Sequence, residues 1–238
     1  EVSRKLSEVF ETLNDIDSAV GVIKKAIKHN SNDGVLYGYL AELELKKGDQ
    51  VAATESLKNA VSNHQNYRWA WDMLCRLSTD ASSASALQQL ANSLTAKAPY
   101  SAKAWCDLAY LCEDEKEKFG HYQTALDCDQ YCILAYEDKA RYYINRAEYK
   151  EALSVFDNTP WGDKLPESLA IVKIDLLTGI GRHGEAINNL KSLLLSLHGY
   201  AHLWKKLFEL IQEHGSKKEL LECCNEAIAR NPFDAEVL

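Results

Sequence analysis

Apolar residues recur along the chain at the spacing of helices that bury one face. Near the carboxyl end, two such segments follow one another, and the polar stretch Glu213-His214-Gly215-Ser216 separates them. Spacings of three, four and seven residues place side chains on one face of a helix. The apolar positions at these spacings are Trp204, Leu207, Phe208 and Ile211 in the first segment, and Leu220, Cys224, Ala227 and Ile228 in the second. The pattern predicts two helices joined by a short turn, with Ser216 as the N-cap of the second helix.

The same paired pattern returns with a period of 34 residues. Positions that lie 34 apart carry similar residue types, namely Ala19, Ala53 and Leu87; Tyr37, Trp71 and Trp105; Ala152 and Ala186; and Ala170 and Trp204. A fixed period near this length indicates stacked helical hairpins, because one hairpin alone is too small to bury its apolar face. The sequence therefore predicts seven units in a single array, at residues 1–33, 34–67, 68–100, 101–132, 133–166, 167–200 and 201–238.

The order of residue types within a unit resembles the tetratricopeptide repeat (TPR). That family has an aromatic residue, a leucine and a small residue in the first helix of each hairpin. Alanine, an aromatic residue, a second alanine and then proline follow in or after the second helix. The second unit resembles this pattern with Tyr37, Leu40, Ala41, Ala53, Leu57 and Ala60, and the fifth with Tyr136, Ala140, Tyr143, Ala152 and Phe156. The resemblance covers essentially the whole chain and implies an all-α fold, a right-handed α-solenoid of stacked antiparallel helix hairpins.

Two units depart from the pattern, and two sister families share parts of it. The second helix of the third unit carries Ala86 and Leu90 about one residue out of phase, and only 31 residues separate Trp105 from Tyr136 in the fourth. HAT repeats also favour a tryptophan in the first helix, but the alanine-rich second helices favour TPR here. Pentatricopeptide arrays read single-stranded RNA. Those arrays tend to be basic, whereas this chain is acidic.

Composition restricts the expected partners and the compartment. The 238 residues include 27 basic and 35 acidic side chains, a net charge of −8, which argues against broad nucleic-acid affinity. No apolar run reaches the roughly 18 residues that would cross a bilayer, so no membrane partner is expected. The seven cysteines are odd in number and irregularly spaced, which favours reduced thiols in a cytoplasmic or nuclear protein.

No set of residues in the sequence predicts catalysis or metal binding. His198 and His202 stand four apart, as do Cys128 and Cys132, but a zinc site needs four converging nitrogen or sulfur ligands. Neither pair has neighbours that complete such a set, and there is no glycine-rich phosphate loop. We therefore expect no enzymatic activity, no cofactor and no bound metal.

The resemblance also implies a binding surface. In TPR arrays the first helices line a concave groove that receives a peptide or a helix of a partner. The family's groove positions correspond in this chain to Arg4, Asp72, Arg76, Tyr110, Glu137, Arg141, Asp175, Lys205 and Glu209, and in the same phase to Cys106. Their mixed charges predict a partner segment of mixed charge. Glu8 and Glu42 fall where some family members carry a clamp for chaperone carboxylates, which disfavours a chaperone co-factor.

Trp161 stands apart from the helical pattern. It lies in the connector Pro160-Trp161-Gly162-Asp163 between the fifth and sixth units. One interpretation is that it fills the seam between these units. The other is an exposed aromatic anchor for a partner, because tryptophan often dominates the energetics of interfaces.

These observations favour a protein–protein interaction scaffold, a TPR segment of a larger subunit in a multiprotein assembly. Two alternatives remain: a module that presents substrate to a catalytic region outside this chain, and a HAT-like RNA-processing scaffold.

The chain opens on Glu1 rather than methionine, and residues 232–238 resemble the start of another first helix. The last second helix presents Leu220, Leu221, Cys224 and Ile228 where a further unit would stack. Self-association through this uncapped end is therefore expected.

Overall fold

The computed structural model describes residues 2–162, 164–196 and 201–230. Within these residues the chain forms fourteen α-helices and contains no strand. The helices are α1 (Val2–Thr12), α2 (Ile16–His29), α3 (Gly34–Lys46), α4 (Gln50–Asn63), α5 (Arg68–Leu77), α6 (Ala81–Lys97), α7 (Ala102–Leu111), α8 (Glu115–Cys128), α9 (Ile133–Asn145), α10 (Tyr149–Asp157), α11 (Glu167–Gly179), α12 (His183–Ser196), α13 (Ala201–His214) and α14 (Lys217–Arg230). Each predicted repeat contains two of them, an odd-numbered first helix and an even-numbered second helix.

The chain divides into two compact units, residues 1–130 and 131–238. The first unit contains α1–α8 and the second contains α9–α14. Within each unit consecutive helices pack as hairpins, and the second helix of one hairpin packs on the first helix of the next. The all-α fold of helical hairpins that the sequence predicts is therefore confirmed for the described residues.

Side chains that precede the helices explain where many of them begin. Asp33 accepts hydrogen bonds from the backbone N–H groups of Val35 and Leu36 at 3.0 and 3.2 Å. Asp114 accepts one from Glu117 at 2.8 Å, in the charged turn before α8. Such caps satisfy donors that the first helical turn leaves unpaired. Ser216 is the predicted cap of α14, and its hydroxyl oxygen accepts from the backbone N–H of Glu219 at 3.1 Å.

Small residues on the second helices allow neighbouring helices to approach closely. The alanines at the repeating position are fully buried, among them Ala19, Ala53, Ala152 and Ala186. Larger side chains such as Leu57 fill the adjacent space, which gives the close packing typical of protein interiors. The period of 34 residues therefore marks the helix contacts themselves.

The second helix of the third repeat differs from the sequence expectation. Leu87, Ala91 and Thr95 are its buried positions, whereas Ala86 is exposed and Leu90 is half-buried. Leu87 lies 34 residues after Ala53, so this helix is in phase with the others and the predicted one-residue offset is wrong. Burial follows the larger side chain, because Leu87 belongs to the same apolar cluster as Trp71 whereas Ala86 is exposed.

A buried carboxylate joins three helices of the first unit. Glu44 on α3 is only 3% exposed. One of its oxygens accepts a hydrogen bond from Ser56 Oγ on α4 at 2.7 Å, and the other lies 3.1 Å from Lys24 Nζ on α2. Because a buried charge without partners would be costly, these contacts make Glu44 compatible with the core.

Candidate partner-binding site

In the first unit, two predicted groove residues meet each other. The Tyr110 hydroxyl on α7 donates a hydrogen bond to the Asp72 carboxylate on α5. The guanidinium of Arg68 lies 3.9 Å from the centre of the Tyr110 ring. Burial, and then the contact with Asp72, raise the pKa of Tyr110 to about 12. Asp72 is thus engaged within the chain and is not a free contact for a basic partner.

The other residues predicted for this surface are placed differently. Arg4 lies 5.6 Å from the centre of the Tyr39 ring on α3. Arg76 is exposed, and no residue in the described part of the chain pairs with it. Cys106, in the same phase of the family pattern, is fully buried, so it does not line an exposed surface.

Sequence reasoning missed a polar network between α1 and α3. Tyr39 donates a hydrogen bond to Glu11, whose carboxylate also lies 2.5 Å from Lys46 Nζ. Lys46 in turn lies 3.0 Å from Glu42. Burial, and then the hydrogen bond to Glu11, raise the pKa of Tyr39 to about 12. The only sequence signal for this network is the pair of opposite charges on adjacent first helices, Glu11 on α1 and Lys46 on α3.

In the second unit, the predicted residues occupy three first helices. Glu137 is half-buried and Arg141 is exposed on α9, while Lys205 and Glu209 are exposed on α13. Asp175 on α11 forms an ion pair with Lys206, the neighbour of Lys205. Adjacent residues point about 100° apart around a helix, so only one of the two lysines faces α11.

A cleft of about 290 Å³ lies between α9 and α11. Two of the predicted residues, Arg141 and Asp175, lie at its edge. The complete lining is Arg141, Ile144 and Asn145 from α9, Tyr149 from α10, and Val172, Asp175, Leu176 and Gly179 from α11. The spacings along α9 and α11 are those of one helix face, so both first helices turn one side toward the cleft. Tyr149, the first residue of α10, was not predicted because it belongs to a second helix.

The cleft combines unengaged donors with an apolar floor. In the described part of the chain, no hydrogen bond or ion pair engages the Arg141 guanidinium, the Asn145 amide or the Tyr149 hydroxyl. The floor consists of Ile144, Val172 and Leu176. Mostly apolar clefts with a few convergent polar groups are the usual form of binding sites.

Gly179 lines the cleft and has no side chain to occupy it. A Cβ atom added to Gly179 would meet no heavy atom within 4 Å. Packing inside the chain therefore does not require glycine at this position. A larger side chain there would extend into the cleft without displacing the helices.

Trp161 is half-buried in the connector between α10 and α11. Its ring makes edge contacts with the rings of Tyr131 and Tyr136, with 5.6 Å between ring centres in both cases. Tyr136 is buried and Tyr131 is exposed, so the tryptophan bridges the core and the surface. The packing on α9 accounts for Trp161 structurally, and its role as a partner anchor stays a prediction.

The histidine and cysteine pairs that the sequence analysis rejected as metal ligands gain no further ligands in the described segments. His198 lies outside the described residues, and His202 is exposed on α13. No group of three or more histidine, cysteine, aspartate or glutamate side chains is arranged to hold a metal ion among the residues that the structure describes. In the same residues, none of the helices has both the length and the apolar character needed to cross a membrane.

Three TPR proteins are among the solved structures that match this chain. A TPR protein of Parabacteroides merdae is 17% identical, with 99% of this chain and 94% of that chain covered and a TM-score of 0.45. The TPR domain of P58(IPK) is 14% identical, with 99% and 61% covered and a TM-score of 0.37. A thermophilic TPR protein of Thermus thermophilus is 20% identical, with 99% and 93% covered and a TM-score of 0.31.

No protein-family model matches the chain, and no curated protein does so either.

Proposed function

We propose that the chain is a protein–protein interaction scaffold, a segment of a larger subunit in a multiprotein assembly of the cytoplasm or nucleus. In this proposal it has no catalytic role and binds a partner segment on the exposed faces of its first helices. The cleft between α9 and α11 is the principal contact in the second unit. The observation that carries the proposal is the set of three unengaged donors, on Arg141, Asn145 and Tyr149, beside an apolar floor.

The chemistry of the cleft suits a protein segment. The apolar floor gains from removing an aliphatic side chain of the partner from water. The Arg141 guanidinium presents several N–H donors in one plane, so it can hold a carboxylate or a backbone carbonyl of the partner. Arginine and tyrosine are also among the residues that most often dominate interface energetics. In the first unit, Arg4 and Arg76 remain the proposed contacts.

Two single substitutions test this proposal. Tagged wild-type chain and the variants Arg141→Glu and Gly179→Leu are used to capture partners, which are quantified by mass spectrometry. Charge reversal removes the principal donor, and the leucine fills the cleft. We expect both variants to lose the same partner. Lys150→Glu is the matched control, because it makes an equal charge change at an exposed position of α10 outside the cleft lining.

The comparison decides the proposal once the variants are shown to retain their fold. Equal thermal midpoints for wild type and variants establish this first. If the partner captured by wild type is recovered equally with Gly179→Leu, the cleft is not the binding site. If Lys150→Glu loses the partner as well, net charge rather than the cleft governs capture.

A further inference from the structure

We infer that the cleft between α9 and α11 selects acidic over basic partner segments, and that Lys206 is the residue that sets this preference. The inference rests on the proposed function, because it concerns the partner of the same cleft. The sequence predicts a partner segment of mixed charge, whereas this inference specifies a segment that carries negative charge.

The charges around the cleft carry this inference. Only two charged side chains line it, Arg141 and Asp175. Taken alone they would cancel, and the cleft would attract neither sign. Lys206 reaches across from α13 to the Asp175 carboxylate, however, and forms an ion pair with it. Because Asp175 is occupied, the Arg141 guanidinium remains as the uncompensated charge, in a chain whose net charge is −8.

The neutral groups of the cleft are compatible with the same ligand, because an amide and a phenol hydroxyl can both donate a hydrogen bond. Asn145 and Tyr149 both line the cleft and are unengaged in the described part of the chain. A carboxylate accepts several hydrogen bonds, whereas a lysine ammonium only donates them. Charge-assisted hydrogen bonds from arginine to a carboxylate are stronger than neutral ones. Arg141, Asn145 and Tyr149 together therefore match a carboxylate.

The apolar floor defines the second feature of the partner. Val172 and Leu176 are buried in the fold, and their outer surfaces border the cleft beside Ile144. A carboxylate held at Arg141 leaves this floor to a neighbouring aliphatic side chain. The occupant is therefore an internal segment that carries glutamate or aspartate close to leucine or isoleucine.

The ion pair can be removed without unfolding the chain. The side chains of Asp175 and Lys206 are 55% and 32% exposed. Ion pairs at such exposure contribute little to stability, because water screens them. The variant Lys206→Met therefore frees the Asp175 carboxylate while keeping the length of the side chain. Lys217→Met is the matched control, since Lys217 is exposed on α14, lies outside the cleft lining and does not pair with Asp175.

The probes are short peptides with acetylated and amidated ends, so that only side chains carry charge. One contains glutamate and leucine in a glycine–serine background, and its two relatives replace the glutamate by glutamine or lysine. Binding to the full isotope-labelled chain is followed by NMR, through the side-chain amide signal of Asn145. We expect the glutamate peptide to bind wild type about tenfold more tightly than the lysine peptide. Lys206→Met should abolish this difference, and Lys217→Met should preserve it.

The outcomes test the inference and the proposed function separately. Equal binding of the glutamate and lysine peptides to wild type would overturn the acidic preference. An unchanged preference in Lys206→Met would overturn the role of Lys206. If no peptide shifts the Asn145 signal, the inference is overturned, while loss of the captured partner in Gly179→Leu would still support the proposed function. If Gly179→Leu retains that partner, the proposed function fails on its own test.

Discussion

Ala147 and Gly181 lie 34 residues apart and share a left-handed backbone conformation, with φ angles of 58° and 78°. Each residue ends the first helix of its hairpin. The following N–H donates to the carbonyl five residues earlier, in both cases within 2.9 Å: Glu148 to Tyr143, and Arg182 to Leu177. This bond is the signature of the Schellman motif, which pairs carbonyl groups left free at a helix end. Backbone geometry therefore repeats with the same period as the apolar pattern.

The left-handed conformation is unfavourable at Ala147 because its Cβ crowds the backbone. We expect Ala147→Gly to raise the free energy of unfolding by about 1 kcal/mol. Gly181→Ala, at the equivalent turn, should lower it by a similar amount. Urea denaturation followed by circular dichroism measures both changes. A destabilised Ala147→Gly variant would contradict the left-handed assignment, since glycine would then only add chain entropy.

The fold was largely predictable from the sequence because burial recurs with a fixed period. Positions such as Ala53 and Trp71 are buried where the pattern predicts. The one clear error, in the second helix of the third repeat, came from giving Ala86 more weight than Leu87. Burial of an alanine gains little free energy, so the position of the leucine determines which face of that helix turns inward.

The candidate site was only partly predictable. The groove phase identified Arg141 and Asp175, which the structure brings to one cleft. It did not identify Tyr149, which enters from a second helix, or Lys206, which pairs with Asp175 in place of the predicted Lys205. Which of two adjacent lysines faces a neighbouring helix depends on the rotation of both helices. A repeat pattern fixes that rotation only to within about one residue.

The close contacts at the repeating alanines give a second prediction. Ala53 and Ala152 are fully buried. Introducing tryptophan there forces two packed helices apart, and overpacking typically costs about 1–3 kcal/mol or more. We therefore expect Ala53→Trp and Ala152→Trp to lower the thermal midpoint clearly. Val51→Trp is the control, because Val51 is 84% exposed on the same helix as Ala53. Unchanged midpoints for both buried variants would show that the assigned helix contacts are wrong.

Tyr39 gives a prediction for alkaline pH. Burial, and then its hydrogen bond to Glu11, raise its pKa from 10.0 to about 12. Because the folded state favours the neutral phenol, the associated stability is complete below pH 10 and is lost as the pH rises toward 12. Tyr110 behaves similarly, with a pKa of about 12. Tyr39 and Tyr110 should therefore titrate late in the ultraviolet absorbance of the folded chain, and burial shifts the pKa of Tyr67 and Tyr136 in the same direction.

Two protein variants distinguish Tyr39 from the other tyrosines in this titration. Tyr39→Phe should remove one late-titrating group and part of the loss of stability at high pH. Tyr100→Phe is the control for the substitution itself, because Tyr100 is 91% exposed. If Tyr39→Phe removes a tyrosine that titrates at the ordinary pH, the contact with Glu11 does not form in solution.

The outer face of α14 gives the last prediction. Leu221 and Ile228 are 63% and 48% exposed, and their seven-residue spacing places them on one face of the helix. Exposed apolar stripes of this kind are typical of surfaces that bind other chains. We expect the chain to self-associate through this face at high concentration. Leu221→Glu combined with Ile228→Glu should give monomers in sedimentation velocity experiments under reducing conditions. Ala229→Glu adds a charge at another exposed position of α14 and should leave association unchanged. A wild-type chain that sediments as a monomer at every concentration would contradict this prediction.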